Sequence, residues 1–309
     1  MSSDPNHAIL AERGRDRGFA LLLVIWVVAL LAVLAASVAA DSTREAVIAR
    51  NRVEAAQARA LADAGVALAL AGLDETNPAT RWPADGTPRL VSFGGGTIAI
   101  SIQDEGGKAD LNLAPLDFIA GLLAEFGVPP DLQTLITNGI AARRQQFAAS
   151  ISGSKAPSRF FFHRSIYNFN PAEEPFASRS ELRLIPGVTR RLYLAIRPYV
   201  TIYSENATIN PMTAPAAVLR GIPGVRPGSV ASFLAARQAG GTAVSTALPK
   251  LASAAAYLGT EEIRAVTIVA QATTPSGASF TREAVVGLSP GLPLHPFTIL
   301  RWRQVISAR

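Results

Sequence analysis

Residues 17–40 read RGFALLLVIWVVALLAVLAASVAA, and this stretch decides the architecture. From Phe19 to Ala40 the only polar side chain is Ser37, and there is no charge. As a helix the segment is about 33 Å long, enough to cross a bilayer core. A helix satisfies its own backbone donors and acceptors, so it needs no partner strand in lipid. Arg13, Arg15 and Arg17 precede it, offset in part by Glu12 and Asp16, while Asp41, Arg44 and Glu45 follow. The Lys/Arg bias puts the N-terminus in the cytoplasm and the body on the far side. An ordinary secretory signal has a shorter apolar core and a cleavage site after it. Here the apolar run is long, and an alanine-rich helical pattern continues past it.

That pattern predicts one helix from Phe19 to about Leu73, stopped by Asn77-Pro78. Val47, Val53, Leu61 and Leu68 leave Arg44, Arg50, Arg52, Glu54, Arg59 and Asp63 on other faces. Strand signals follow. Arg89–Phe93 precedes Gly94-Gly95-Gly96, and TIAISIQ (97–103) alternates isoleucine with small or polar residues. The glycine triplet reads as a hairpin turn, since no Lys-Ser/Thr stands at the spacing of a phosphate loop. RAVTIVA (264–270) and SFTREAVV (279–286) flank Thr274-Pro275-Ser276-Gly277 as a second hairpin. TILRWRQ (298–304) is expected to add a last strand. Strands on both sides of a helical block imply one sheet with a helical insertion.

Inside the block, Leu116 to about Gln146 reads as two helices broken at Gly127-Val128-Pro129-Pro130. Residues 147–176 look irregular, with Phe160-Phe161-Phe162, Tyr167 and Phe169, and suit an adaptable binding segment. Leu182–Thr189 and Leu219–Val225, each with a Pro-Gly step, resemble helix-hairpin-helix turns.

The chain has 309 residues, a formal charge of +6 and no cysteine. Disulfides, zinc-thiolate sites and cysteine nucleophiles are therefore excluded. The arginines are scattered rather than clustered, which reads as a solvated surface. His7, His163 and His295 are far apart, with no His-Glu-x-x-His pair and no Gly-x-Ser-x-Gly elbow. Ser154 beside Lys155 reads as a polar loop. No catalytic constellation emerges, and the expectation is a protein that is not an enzyme. Asp104, Glu105 and Asp110 offer the hard oxygens that calcium takes, although their spacing fits no dedicated calcium motif. They are weak metal candidates, and no other cofactor is expected. The acidic step also suits capping of the next helix through its carboxylate oxygens.

Arg17-Gly18-Phe19 before an apolar helix resembles the cleavage site of type IV prepilins and type II secretion pseudopilins. The resemblance implies a cut after Gly18 by a cytoplasmic-side peptidase and N-methylation of Phe19. Most of these proteins carry glutamate at the fifth position after the cut. Here that position is Leu23, a departure that resembles the K subunits, minor pseudopilins at the filament tip. A carboxylate in the membrane is costly unless paired, and a first subunit has nothing above it to pair with. The acidic Asp104–Asn112 segment, the strand at Pro198–Tyr203 and the step at Asn210–Pro215 also resemble K subunits, with Pro211-Met212 departing from the common form.

The resemblance implies an α+β fold: a pilin-like long N-terminal helix on a small antiparallel sheet, with a large inserted helical domain of helix-hairpin-helix or SAM-like type. The expected divisions are a leader at 1–18, a transmembrane half-helix at 19–40, a periplasmic spine with the first strands at 41–104, the insert at 105–260 and the last strands at 261–309. The implied role is to initiate and cap a pseudopilus that exports folded proteins across the outer membrane. The implied partners are other minor pseudopilins, the major pseudopilin, the prepilin peptidase and the inner-membrane secretion platform, with no nucleic acid. The alternative is a membrane-anchored DNA receptor of competence type, with Arg190, Arg191 and Arg226 placed for phosphate contact.

Overall fold

The computed structural model describes residues 9–77, 79–152, 176–240, 242–260, 262–288 and 297–305, without the side chains of 9–20, 38–43, 146–152, 242, 250 and 252. The segment with Phe160–Phe162, Tyr167 and Phe169, the Ser154-Lys155 pair, and His7, His163 and His295 lie outside these residues.

One helix, α1, runs from Ile9 to Leu73. It begins earlier than the apolar pattern predicts and continues through Gly14 and Gly18 unbroken. Along its apolar stretch Leu23 is 55% exposed and Trp26 76% exposed. Among the described residues no helix is long and apolar enough to cross a membrane. The described side chains of 19–40 run only from Leu21 to Ser37, so part of the expected span lies outside them. The chain divides into two units, Met1–Gln57 and Ala58–Arg309. In the first, Arg50 Nε donates to Glu54 Oε1 at 3.0 Å, one helical turn on.

The second unit is built around an antiparallel five-stranded sheet. Its strands are β1 (Arg89–Phe93), β2 (Gly96–Asp104), β5 (Ala265–Thr273), β6 (Ser279–Leu288) and β7 (Phe297–Gln304), in the order β1-β2-β5-β6-β7. Alternation fixes which face is apolar. Ile98, Ile100 and Ile102 on β2, Val266, Ile268, Ala270 and Ala272 on β5, and Ala284 and Val286 on β6 pack with Leu61, Ala62, Val66 and Ala69 of α1. Helix and sheet meet closely at Gly65, where a Cβ would stand 2.8 Å from Ile98 and 2.9 Å from Ala270. Asp63 of α1 accepts from Arg282 of β6 at 2.6 Å, and that guanidinium lies between the rings of Phe280 and Trp302.

The chain between β2 and β5 forms a second core, with Phe118, Leu122, Ile136, Leu182, Val218 and Phe233 buried in it. Its helices are α2 (Leu116–Glu125), α3 (Pro130–Ser152), α4 (Arg190–Ile196), α5 (Ala216–Arg220), α6 (Pro227–Ala239) and α7 (Thr242–Ala247). A two-residue parallel pair, β3 (Ala109–Asp110) with β4 (Val200–Thr201), stitches the block at its base. The predicted strand at 198–203 is thus reduced to Val200-Thr201, because a 3-10 turn occupies Arg197–Tyr199. The predicted break between α2 and α3 is present, and α3 continues past Gln146 to Ser152.

Two of the connections repeat each other. The Asp110 side chain accepts from Asn112 N at 2.8 Å and its carbonyl from Ala114 N at 2.9 Å, just before Pro115 and α2. The Asn210 side chain accepts from Met212 N at 3.0 Å and its carbonyl from Ala214 N at 3.0 Å, just before Pro215 and α5. Arg144 of α3 then donates to Leu111 O and Ala114 O, and Arg237 of α6 donates to Pro211 O and Ala214 O. Helices α2–α3 and α5–α6 are therefore two copies of one hairpin plan, each closed by an arginine on two carbonyls.

Candidate functional site

The acidic step lies where the strand β2 hands the chain to the helical block. Asp104 ends β2, Glu105 opens a 3-10 turn at Glu105–Gly107, and Asp110 lies on β3. All three are buried, at 1%, 0% and 2% exposure. Buried carboxylates require donors, and each one finds its own set.

Asp104 accepts from Gly106 N at 2.8 Å, which caps the 3-10 turn, and from Asn210 at 3.2 Å and Thr213 at 2.8 Å. Glu105 accepts from Lys108 Nζ, from Thr201 Oγ1 of β4 and, at 2.5 Å, from Thr267 Oγ1 of β5. Asp110 accepts from Ser204 Oγ at 2.9 Å and Glu205 N at 3.2 Å, besides Asn112 N. Asn112 completes the set: its amide donates to Phe176 O at 3.1 Å and accepts from Phe176 N at 2.9 Å. Glu105 therefore joins the sheet, through Thr267, to the helical block, through Thr201.

The electrostatics differ among the three. Burial pushes Asp104 above its ordinary value; hydrogen bonds from Thr213, Gly106 and Asn210 offset this only in part, and the Glu105 charge adds to it. Burial likewise raises Asp110 against its hydrogen bonds. Burial also penalises charged Glu105, but the Lys108 and Arg179 charges and the bonds from Lys108 and Thr201 outweigh it and hold the carboxyl below its ordinary value. Glu105–Lys108 is thus a buried ion pair with satisfied oxygens, the arrangement in which such a pair persists.

This geometry corrects two expectations. Among the described residues no group of three His, Cys, Asp or Glu side chains is placed to hold a metal, so Asp104, Glu105 and Asp110 do not converge on one ion. Nor does the step cap α2: Pro115 stands at the N-cap of that helix, with no side-chain cap. The carboxylates instead bind hydroxyl, amide and ammonium donors that fasten block to sheet.

A second junction lies on the other side of β6. Glu283 accepts from Arg303 of β7 at 2.8 and 2.6 Å, and Arg179 and Arg197 of the helical block reach it at 3.6 and 3.7 Å. No local pattern announces this junction, because its members are scattered along the chain.

Of the residues expected to contact phosphate, Arg190 and Arg191 stand exposed in the first turn of α4, and Arg226 stands just before α6. They belong to different hairpins. Gly18 and Phe19 lie within α1, and their side chains are outside the described set.

Comparison with known proteins adds three findings. Residues 100–205, which contain the whole acidic step, match the family model "Type II secretion system (T2SS), protein K". A search of curated proteins finds no match. The fold is similar to a chain from the crystal structure of the GspK-GspI-GspJ complex of the enterotoxigenic Escherichia coli type 2 secretion system. That similarity has 17% identity and a TM-score of 0.50, covering 86% of this chain and 100% of the other. The α+β organisation, a long helix on an antiparallel sheet with a helical insertion, is accordingly shared with that chain as a fold. Residues 100–205, with the acidic step and the hairpin that follows it, are thus similar to the type II secretion system protein K family.

Proposed function

We propose that this chain is a minor pseudopilin that stands at the tip of the type II secretion pseudopilus and starts its assembly. The observation that carries the reading is the protein K match over residues 100–205. The apolar 19–40 stretch supports a single inner-membrane span with the body in the periplasm. Arg17-Gly18-Phe19 supports removal of residues 1–18 by the prepilin peptidase and methylation of Phe19. Leu23 supports the leading position, since a subunit without a carboxylate there lacks the group that engages a subunit ahead.

The role is non-covalent. The spine helix packs with the helices of other minor pseudopilins and of the major pseudopilin above the secretion platform. The solved relative was crystallised in a complex of K, I and J proteins, which supports the same class of partners here. The test is co-expression of the full chain with the other minor pseudopilins of its own cell. Stable co-purification in defined stoichiometry is expected; a chain that purifies alone under every condition overturns the assignment.

A further inference from the structure

We propose that the face formed by the 3-10 turn Arg179–Leu184 and helix α4 docks an acidic, leucine-bearing protein helix. The two elements are joined by Arg183, whose guanidinium lies 5.9 Å from the centre of the Tyr193 ring. Arg190 and Arg191 each stand three residues before Tyr193 and Leu194, so each lies one turn from its neighbour on the same side of α4. Arg183, Arg190 and Arg191 are exposed. On the same two elements Leu184, next to Arg183 in sequence, is 69% exposed, and Leu194, one turn on from Arg191, is 52% exposed.

Among the described residues the charge on this face is not neutralised locally. The only carboxylate between Phe176 and Val200 is Glu181, and it is spent on Arg143 at 2.6 Å. Among the described residues no carboxylate pairs with Arg183, Arg190 or Arg191. Two of these arginines also occupy the first turn of a helix, where the helix dipole disfavours cations. Local stability therefore does not account for them.

The surface asks for two things at once: carboxylates against three arginines, and apolar side chains over two leucines. A phosphate backbone or an anionic headgroup supplies the first and leaves both leucines wet. A protein helix with glutamates flanking leucines supplies both, with an apolar centre and a charged rim. This inference is separate from the assembly role above, which rests on the leader, the spine and the family match.

The full chain in zwitterionic nanodiscs would be titrated with four probes by fluorescence anisotropy. They are an amphipathic Glu/Leu helical peptide, the same peptide with glutamine for glutamate, the same peptide with alanine for leucine, and a short DNA duplex. The Glu/Leu peptide should bind at least tenfold tighter than the other three. The triple variant Arg183→Gln, Arg190→Gln, Arg191→Gln and the double variant Leu184→Ser, Leu194→Ser should each weaken it at least fivefold. Both variants should still co-purify with the other minor pseudopilins, because that association uses other surfaces. Equal binding of the wild-type chain to the control peptides overturns the proposal without recourse to any variant. Tighter binding of the duplex, insensitive to the leucine changes, replaces it with a nucleic-acid site.

Discussion

Gly121 of α2 and Gly221 at the end of α5 meet backbone to backbone: a Cβ on Gly121 would stand 2.1 Å from Gly221 O. The contact is reciprocal, since a Cβ on Gly221 would stand 2.7 Å from the Cα of Leu122. The obstacles are backbone atoms, which cannot swing aside as a side-chain tip can. The two copies of the hairpin plan therefore touch through their glycines. Gly121→Ala should lower unfolding stability by about 1–3 kcal/mol through overpacking. Gly228→Ala in α6, where a Cβ meets nothing within 4 Å, should be neutral or slightly stabilising. Chemical denaturation of the two variants side by side checks this; equal losses would remove the tight contact from the account.

The arginine closures make a paired prediction. Arg144 and Arg237 each hold two carbonyls, and burial lowers the proton affinity of both guanidiniums. Methionine keeps much of the apolar stem and leaves those carbonyls without a donor. Arg144→Met and Arg237→Met should each cost about 1–3 kcal/mol. Hydrogen exchange should localise the loss to the turn before α2 in the first case and before α5 in the second.

Glu105 predicts a specific pH dependence. Its folded carboxyl sits below the ordinary value of 4.5, so its contribution is present above that pH and is lost as pH falls through the folded value. Asp104 and Asp110 run the other way: their folded values lie above the ordinary 3.8, so their contribution is full below it and is lost as pH rises. Glu105→Gln leaves Lys108 buried without its carboxylate and should cost about 3–5 kcal/mol at neutral pH. The gap between wild type and this variant should shrink as pH is lowered from 6 to 3. A constant gap across that range would contradict the ion-pair role.

Much of the fold could be read from residue patterns. TIAISIQ alternates, and Ile98, Ile100 and Ile102 do line one face. The terminal hairpin was signalled by Thr274–Gly277, and the last strand by TILRWRQ. These signals are local, carried by period and turn chemistry. The acidic step was legible as important but not in what it does. Its partners Thr201, Asn210, Thr213 and Thr267 lie about a hundred residues or more away, and nothing local announces them. The repeated hairpin plan does leave a trace in the chain, Ala114-Pro115 recurring as Ala214-Pro215. The Pro-Gly turns at 186–187 and 223–224 are the stronger local signals.

Processing of the N-terminus is tested separately from the fold. Co-expression with a prepilin peptidase should shorten the chain to begin at Phe19 with one methyl group, read by intact mass. Gly18→Arg should abolish the shift. Cleavage elsewhere, or none, would return the 19–40 helix to a plain membrane anchor.

The central claim is that this chain leads a pseudopilus, and its location on the filament tests that most directly. The protein has no cysteine, so a single cysteine placed at exposed Gly228 can carry one gold label. Filaments assembled with the labelled chain and sheared from cells should show gold at one end only under the electron microscope. Gold distributed along the shaft would contradict the tip assignment.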